Sequence, residues 1–363
     1  MRNICIVTGA RPNFVKVAPL VRALQQASKH GASVSYQLVY AGAENDPTLE
    51  QSLFDDLQMP RPDVFLGVDC ASLNELTGRV MSAFEHYLDT HPTDVVIVVD
   101  DLASTMAVAI VTKKHGLRLA HLVAGTRSFD INMPKEINRL VIDGLSDLLF
   151  TAGVSSNSNA TREGAEMHKI YMVGNILMDT LRQAHSRLQR PDVLDELHLS
   201  AGEYVVFTLN RRALMSDKEN LSRMLSVISN AGVPVLAPLR GEAAKIVTEL
   251  LPSTATGQFT LISPLPYLEF GWLTAYAKGI ITDSGNVAEE ATFNGVPCIT
   301  LNSYTEHIET VKQGTNVLVG EDAGRLREAL DMLTSNQWKS ASLPDRWDGR
   351  TAERIVRILL ELT

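Results

Sequence analysis

Short apolar runs alternate with helix-period segments along nearly the whole chain, and that alternation leaves few folds open. Strands separated by helical segments pair in parallel, because each crossover helix returns the chain to the same end of the sheet. In the first half, strands are expected at residues 3–8, 36–40, 95–99, 117–123, 148–151 and 170–173. A helix over 13–27 would carry Val17, Leu20, Val21 and Leu24 on one face, and one over 104–115 would do the same with Ala107, Val108 and Val111; both faces read as core packing. A second series follows a long helix near 176–188 and a charged, proline-containing stretch over 189–202, with strands at 204–209, 233–237, 259–262, 279–281 and 297–301. The expectation is an α/β protein with two doubly wound Rossmann-like domains, 1–175 and 176–349. A terminal helix at about 350–363, periodic through Ile355, Ile358 and Leu359, would pack back on the first.

With 363 residues, 45% of them hydrophobic, the chain can fill two cores. A formal charge of -9 without a long basic run argues against nucleic acid or an anionic membrane as the main partner. Cys5, Cys70 and Cys298 are odd in number and widely spaced. Cys5 and Cys298 lie in apolar strand-like runs, so the three read as reduced core thiols of a cytoplasmic protein. No segment offers the about 20 continuous apolar residues of a membrane span, and the first apolar run breaks at Gly9, too early for a signal segment.

Three turns lie where an open parallel sheet binds ligands, beyond the carboxyl ends of strands at helix N-termini. They read Thr8-Gly9-Ala10-Arg11-Pro12-Asn13, Val99-Asp100-Asp101-Leu102-Ala103-Ser104 and Thr282-Asp283-Ser284-Gly285-Asn286-Val287-Ala288-Glu289-Glu290. The first is not the dinucleotide fingerprint, so no nicotinamide or flavin is called for, and no other cofactor either. Arg11 and Lys16 place two cations beside a helix start, suited to a diphosphate or simply to solvent. The third turn joins a glycine that admits close approach to a helix N-terminus, with carboxylates one turn on that suit ribose hydroxyls or, equally, the helix dipole. No spacing of His, Cys and carboxylates matches a metal site.

The chain resembles the non-hydrolysing UDP-N-acetylglucosamine 2-epimerases over most of its length. The resemblance is carried by Gly9-Ala10-Arg11-Pro12-Asn13-Phe14-Val15-Lys16, Ala124-Gly125-Thr126-Arg127-Ser128, Pro134-Lys135-Glu136-Ile137-Asn138-Arg139, Val173-Gly174-Asn175, Thr282-Asp283-Ser284-Gly285 and Gln313-Gly314-Thr315. It implies a glycosyltransferase-B-like pair of Rossmann lobes, with UDP or a UDP-N-acetylhexosamine held mainly by the second, in a homodimer serving cell-envelope or capsule polysaccharide supply. Arg11, Ser284, Gly285 and Glu290 would hold diphosphate and ribose, and Phe270 would lie near uracil. Lys16, Arg127, Arg139, Arg211 and Asn286 complete the expected substrate-binding set.

The reaction so implied removes the C2 proton, expels UDP from C1 and returns both with the proton on the other face, which needs acid–base groups on both faces of the sugar. Here the sequence departs from the family pattern. Of four catalytic positions only Asp101 remains; the family's Glu, Glu and His are replaced by Val123, Lys135 and Asn210. Glu44 also stands in the turn where the family has Gly-Gln-His. Two readings follow: an epimerase leaning on Asp101 with Glu136 or Asp130 as displaced partners, or a catalytically silent homologue that binds a nucleotide sugar or regulates an active epimerase.

Overall fold

The computed structural model describes residues 2–251 and 258–361. These fall into two compact units, 2–183 with 345–361, and 184–344.

The first unit is built on strands β1 (Arg2–Thr8), β2 (Val34–Tyr40), β3 (Val64–Phe65), β4 (Val95–Val99), β5 (Arg118–Ala124), β6 (Leu148–Thr151) and β7 (Ile170–Met172). They form one sheet in the order β3-β2-β1-β4-β5-β6-β7, with every pair parallel. The five residues of β4 are all buried valine or isoleucine, as a central strand covered on both faces requires. Strand order reverses beside β1 and β4, so the carboxyl ends of these two strands flank the position where doubly wound sheets bind ligands. β3 escapes sequence reading because two residues carry no period.

The second unit contains β8 (Val205–Phe207), β9 (Val235–Ala237), β10 (Phe259–Leu261), β11 (Gly279–Thr282), β12 (Cys298–Thr300) and β13 (Asn316–Leu318). Its all-parallel sheet runs β10-β9-β8-β11-β12-β13 and reverses between β8 and β11. Val205, Phe207, Ile281 and Ile299 sit in one core with Leu221, Leu225 and Leu330 from flanking helices. β13, Asn316–Leu318, lies beyond the strands expected from the sequence. Cys5 and Cys298 are buried on β1 and β12, and Cys70 is half-buried; all three are free thiols.

The first unit extends past the boundary at 175. The helix Ile176–Ala184 carries Asp179, whose carboxylate accepts the amides of Thr351 (3.0 Å) and Ala352 (2.8 Å). Thr180 Oγ1 donates to the carbonyl of Val15 at 2.6 Å, and the buried Trp347 indole donates to Ala152 O at 3.2 Å. These bonds tie residues 176–183 and 345–361 to the first sheet, so the division falls after Gln183. The expected helix over 176–188 ends at Ala184 and continues as a tighter turn, His185–Arg187. The last helix, Thr351–Glu361, buries Ala352, Ile355, Val356 and Leu359, one face at helical spacing, and packs against the helix Arg11–Lys29.

Gly174 joins β7 to this region with φ of 105°, and a Cβ there would lie 2.1 Å from the carbonyl oxygen of Arg346. Gly174→Ala is therefore expected to destabilise the first unit by about 2 kcal/mol, through backbone strain and displaced contacts. Urea unfolding followed by emission from Trp347, the first unit's own tryptophan, measures it; an unchanged midpoint would contradict the geometry.

Candidate functional site

Three strand ends of the first sheet converge on a layer of ion pairs. After β1, Asn13 Oδ1 accepts the amides of Gly9 (2.9 Å) and Ala10 (3.1 Å), fixing the turn that opens the helix Arg11–Lys29. Its Nδ2 donates to Asp100 Oδ2 at 2.8 Å, and Lys16 Nζ meets Asp100 Oδ1 at 2.6 Å. Lys16 is thus a buried partner of Asp100, while Arg11 stands half-buried at the first residue of the helix.

Asp101, next in the β4 turn, is buried. Its Oδ2 accepts Arg139 Nε at 2.9 Å and Nη2 at 2.5 Å, and Lys135 Nζ stands 3.3 Å from Oδ1. Arg139 and Lys135 both come from the helix Pro134–Leu145. Burial pushes the Asp101 carboxyl up, but the Lys135 and Arg139 cations outweigh it and hold it below its ordinary value.

Glu136, on the same helix, is equally committed. Ser128 N and Oγ donate to its Oε2 at 2.9 Å each, Phe129 N to its Oε1 at 3.0 Å, and Arg139 Nη1 lies 2.9 Å from Oε2. Burial raises this carboxyl and the Ser128, Arg139 and Phe129 bonds lower it further than burial raises it. Glu136 clamps a loop in which Phe129, at φ of 62°, is exposed. Asp130, also exposed, accepts Asn132 N at 3.0 Å and caps a turn of that loop.

Arg127, expected among the ligand's cations, is buried and spent within the unit. Its Nη2 lies 2.7 Å from Asp143 Oδ2, its Nε donates to Glu163 Oε1 at 2.8 Å and its Nη1 to Thr126 O at 2.6 Å. Arg139, expected likewise, lies beneath Asp101 and Glu136. His121 is held at both ring nitrogens, by Asp143 Oδ1 at 2.6 Å and by the Asp100 carbonyl at 3.0 Å. Asp143 and Glu163 were missed because only the packed chain shows that Arg127 needs two acids. Val123 marks a register shift in β5 and adopts φ of 73°, a conformation that a β-branched side chain enters only under strain. Glu44 is exposed in the turn after β2.

In the second unit, Asn210 and Arg211 present their amides to Asp283 Oδ2 at 2.7 and 2.6 Å, joining the β8 and β11 turns. Arg211 Nη1 donates to Asn302 Oδ1 at 2.7 Å. The helix Gly285–Asn294 starts at Ser284 without a side-chain cap and without an acid in its first turn. Its leading amides, at Gly285 and Asn286, suit an anion. No heavy atom lies within 4 Å of a Cβ placed on Gly285, so the approach there is open. Phe270, on the helix Tyr267–Ala275, is half-buried against the core that includes Leu273 and Val287.

Glu289 and Glu290 are buried one turn into the first of these helices, and His307 Nε2 lies 3.6 Å from Glu289 Oε1. Burial, reinforced by Glu289, pushes the Glu290 carboxyl up to about 8. Since that carboxyl ionises near 4.5 in the unfolded chain, folding stability falls as pH rises from there to about 8. Glu290→Gln removes this slope. At pH 8 it is expected to stabilise the protein by roughly 1–3 kcal/mol, an advantage that closes toward pH 5. Calorimetric melts at the two values check this, and a pH-independent difference would be the contrary result.

Among the described residues no group of three or more His, Cys, Asp or Glu is placed to hold a metal ion, and no helix is long and apolar enough to cross a membrane.

Comparison with known proteins bears on this geometry. A protein family described as UDP-N-acetylglucosamine 2-epimerase matches residues 26–360. A Methanococcus maripaludis protein named as a UDP-N-acetylglucosamine 2-epimerase homolog is 32% identical over 366 residues, spanning 99% of this chain and 100% of its own. A Pseudomonas aeruginosa UDP-2,3-diacetamido-2,3-dideoxy-D-glucuronate 2-epimerase is 31% identical over 323 residues, 88% of each chain. The crystal structure of Methanocaldococcus jannaschii UDP-GlcNAc 2-epimerase in complex with UDP-GlcNAc and UDP matches with a TM-score of 0.84 and 32% identity, over 98% of this chain and 99% of that one. The pair of parallel, helix-flanked sheets is thus of the glycosyltransferase-B-like class.

Proposed function

Because this chain belongs to the UDP-N-acetylglucosamine 2-epimerase family, we propose that it binds a UDP-N-acetylhexosamine without exchanging the proton at C2 of the sugar. The observation that carries this reading is the double pairing of Asp101. This one retained acid of the four catalytic positions is held by Arg139 and Lys135 together, and a carboxylate so stabilised is a poor base.

The candidate replacements do not supply a second base. Glu136 is bound by two backbone amides, a hydroxyl and a guanidinium, and Asp130 is an exposed turn cap. Val123 has no titratable group, and Asn210 does not titrate near neutrality. The binding side is better provided. The open start of the helix Gly285–Asn294 suits a diphosphate, and Glu290 lies one turn on. Support for the ligand class comes from the relatives, whose names and complexes include UDP-GlcNAc, UDP and a UDP-linked diacetamido glucuronate. A homodimer of such a protein, in the cytoplasm, is part of the same proposal.

Two measurements on the purified protein test it. Calorimetric titration with UDP is expected to show saturable binding, and UDP-GlcNAc in deuterated water is expected to keep its C2 proton when followed by NMR. Absence of UDP binding would remove the ligand; enzymatic incorporation of deuterium would remove the claim of silence.

A further inference from the structure

A groove of about 400 Å³ lies wholly within the first unit, where the helices Arg11–Lys29 and Ile176–Ala184 meet the start of the helix Thr351–Glu361. Each of these three segments contributes an arginine to its wall: Arg22, Arg182 and Arg350. The acids nearest in the chain are engaged elsewhere. Asp179 accepts the amides of Thr351 and Ala352, and Asp348 accepts the Arg350 amide at 3.1 Å and pairs with the Arg354 guanidinium. Among the described residues the guanidiniums of Arg182 and Arg350 therefore meet no carboxylate at ion-pair distance. Arg182 is nonetheless held in place. Its Nη1 donates to the Asp348 carbonyl at 2.6 Å, and its stem lies against Gly349, at φ of 71°, where a Cβ would stand 2.6 Å from Arg182 Cδ. Arg350 directly precedes a helix, at the end where the backbone dipole disfavours a cation. Two cations without acids, on one concave wall, make a place for an anion.

We propose that this groove is a second ligand site, separate from the one that would hold UDP, and that it takes a sugar phosphate, with Arg182 and Arg350 meeting the phosphate. A phosphate has oxygens enough for both planar guanidinium forks, whereas a carboxylate fills one. The rest of the wall suits a hydroxylated ring: the amides of Gln26 and Gln183 and the carboxylate of Glu353 pair with hydroxyls, and Pro19 and Ala23 offer carbon to carbon. No aromatic side chain lines the groove, so a nucleobase finds no face to stack on, and the volume is that of a small-molecule site. The walls come from segments far apart in the sequence, 19–26, 179–183 and 349–353, so only the folded unit presents them together. A ligand bound there stabilises that unit by mass action.

The test is calorimetric titration of the full chain, with UDP present throughout, using glucose 6-phosphate, glucose and inorganic phosphate as probes. Glucose 6-phosphate should bind saturably, inorganic phosphate more weakly and glucose not at all. It should also raise the urea midpoint read from Trp347. Arg182→Gln and Arg350→Gln should each weaken glucose 6-phosphate about tenfold or more, the loss of a charge-assisted hydrogen bond, and leave UDP titration unchanged. Arg350→Gln removes no bond within the protein, so its fold is kept even if Arg182→Gln unfolds. Absence of glucose 6-phosphate binding, or full affinity in Arg350→Gln, overturns the site. Inorganic phosphate binding as tightly as glucose 6-phosphate overturns the assignment to a sugar phosphate. Binding seen without UDP and abolished by it would belong to the second unit's helix Gly285–Asn294 and would equally overturn the proposal.

Discussion

Arg139→Met is expected to destabilise the first unit by about 3–5 kcal/mol, because it removes one partner from a buried charge network and leaves the others behind. Arg139 is 1% exposed and is bonded to both Asp101 and Glu136, each buried. Lys135 remains near Asp101, but Glu136 is left with neutral donors alone. The exposed pair Arg79 with Glu75 provides the contrast. Both side chains are more than half exposed, and Arg79→Met should change stability by less than about 0.5 kcal/mol. Both variants lie in the unit whose unfolding Trp347 reports.

The pH dependence adds a second readout. Asp101 and Glu136 are held below their ordinary values, so their contribution to stability is present above the ordinary carboxylate range and is lost as pH falls through the depressed values. The gap between natural protein and Arg139→Met should therefore be widest near neutrality and narrow in acid. Equal stability of the two at pH 7 would show that the network contributes nothing.

The triple variant Val123→Glu, Lys135→Glu, Asn210→His is expected to incorporate deuterium at C2 of UDP-GlcNAc where the natural chain does not. Each general acid or base contributes typically about 10²–10⁴ in rate, and groups that act as a set lose most of their effect together. Single restorations should accordingly remain silent. Lys135→Glu alone removes the cation on Asp101 but leaves no titratable group at 123 or 210. The left-handed backbone at 123 persists under its valine, so a glutamate enters a conformation already formed. A triple variant that binds UDP as the natural chain does and still exchanges no proton would place the cause of silence elsewhere.

The parts of this architecture that repeat were legible in the sequence. β4 and β8 stand out because a run of buried β-branched or aromatic residues has no other use in a chain of this composition. β3 did not, since two residues cannot display a period, and β13 opens on a polar Asn316 and holds only two apolar residues within its bounds. The domain boundary was hidden for a different reason: the bond from Thr351 N to Asp179 spans 172 positions, and nothing local announces it. At the site, residue types were readable but their commitments were not. Arg127 and Lys16 look like ligand cations until packing supplies Glu163, Asp143 and Asp100. Val123 looks like the end of a strand, and only the register shift in β5 reveals the strained turn beneath it.

The interrupted course of the first unit also sets an order of assembly on the ribosome. Residues 345–361 supply its buried Trp347 and the helix that covers Arg11–Lys29, yet they are translated after all of 184–344. The later-encoded sheet, being contiguous, can close first, while the earlier-encoded one waits with an apolar helix face uncovered. A nascent chain stalled before residue 345 would thus display one finished half and one sticky half, the kind of substrate that chaperones retain.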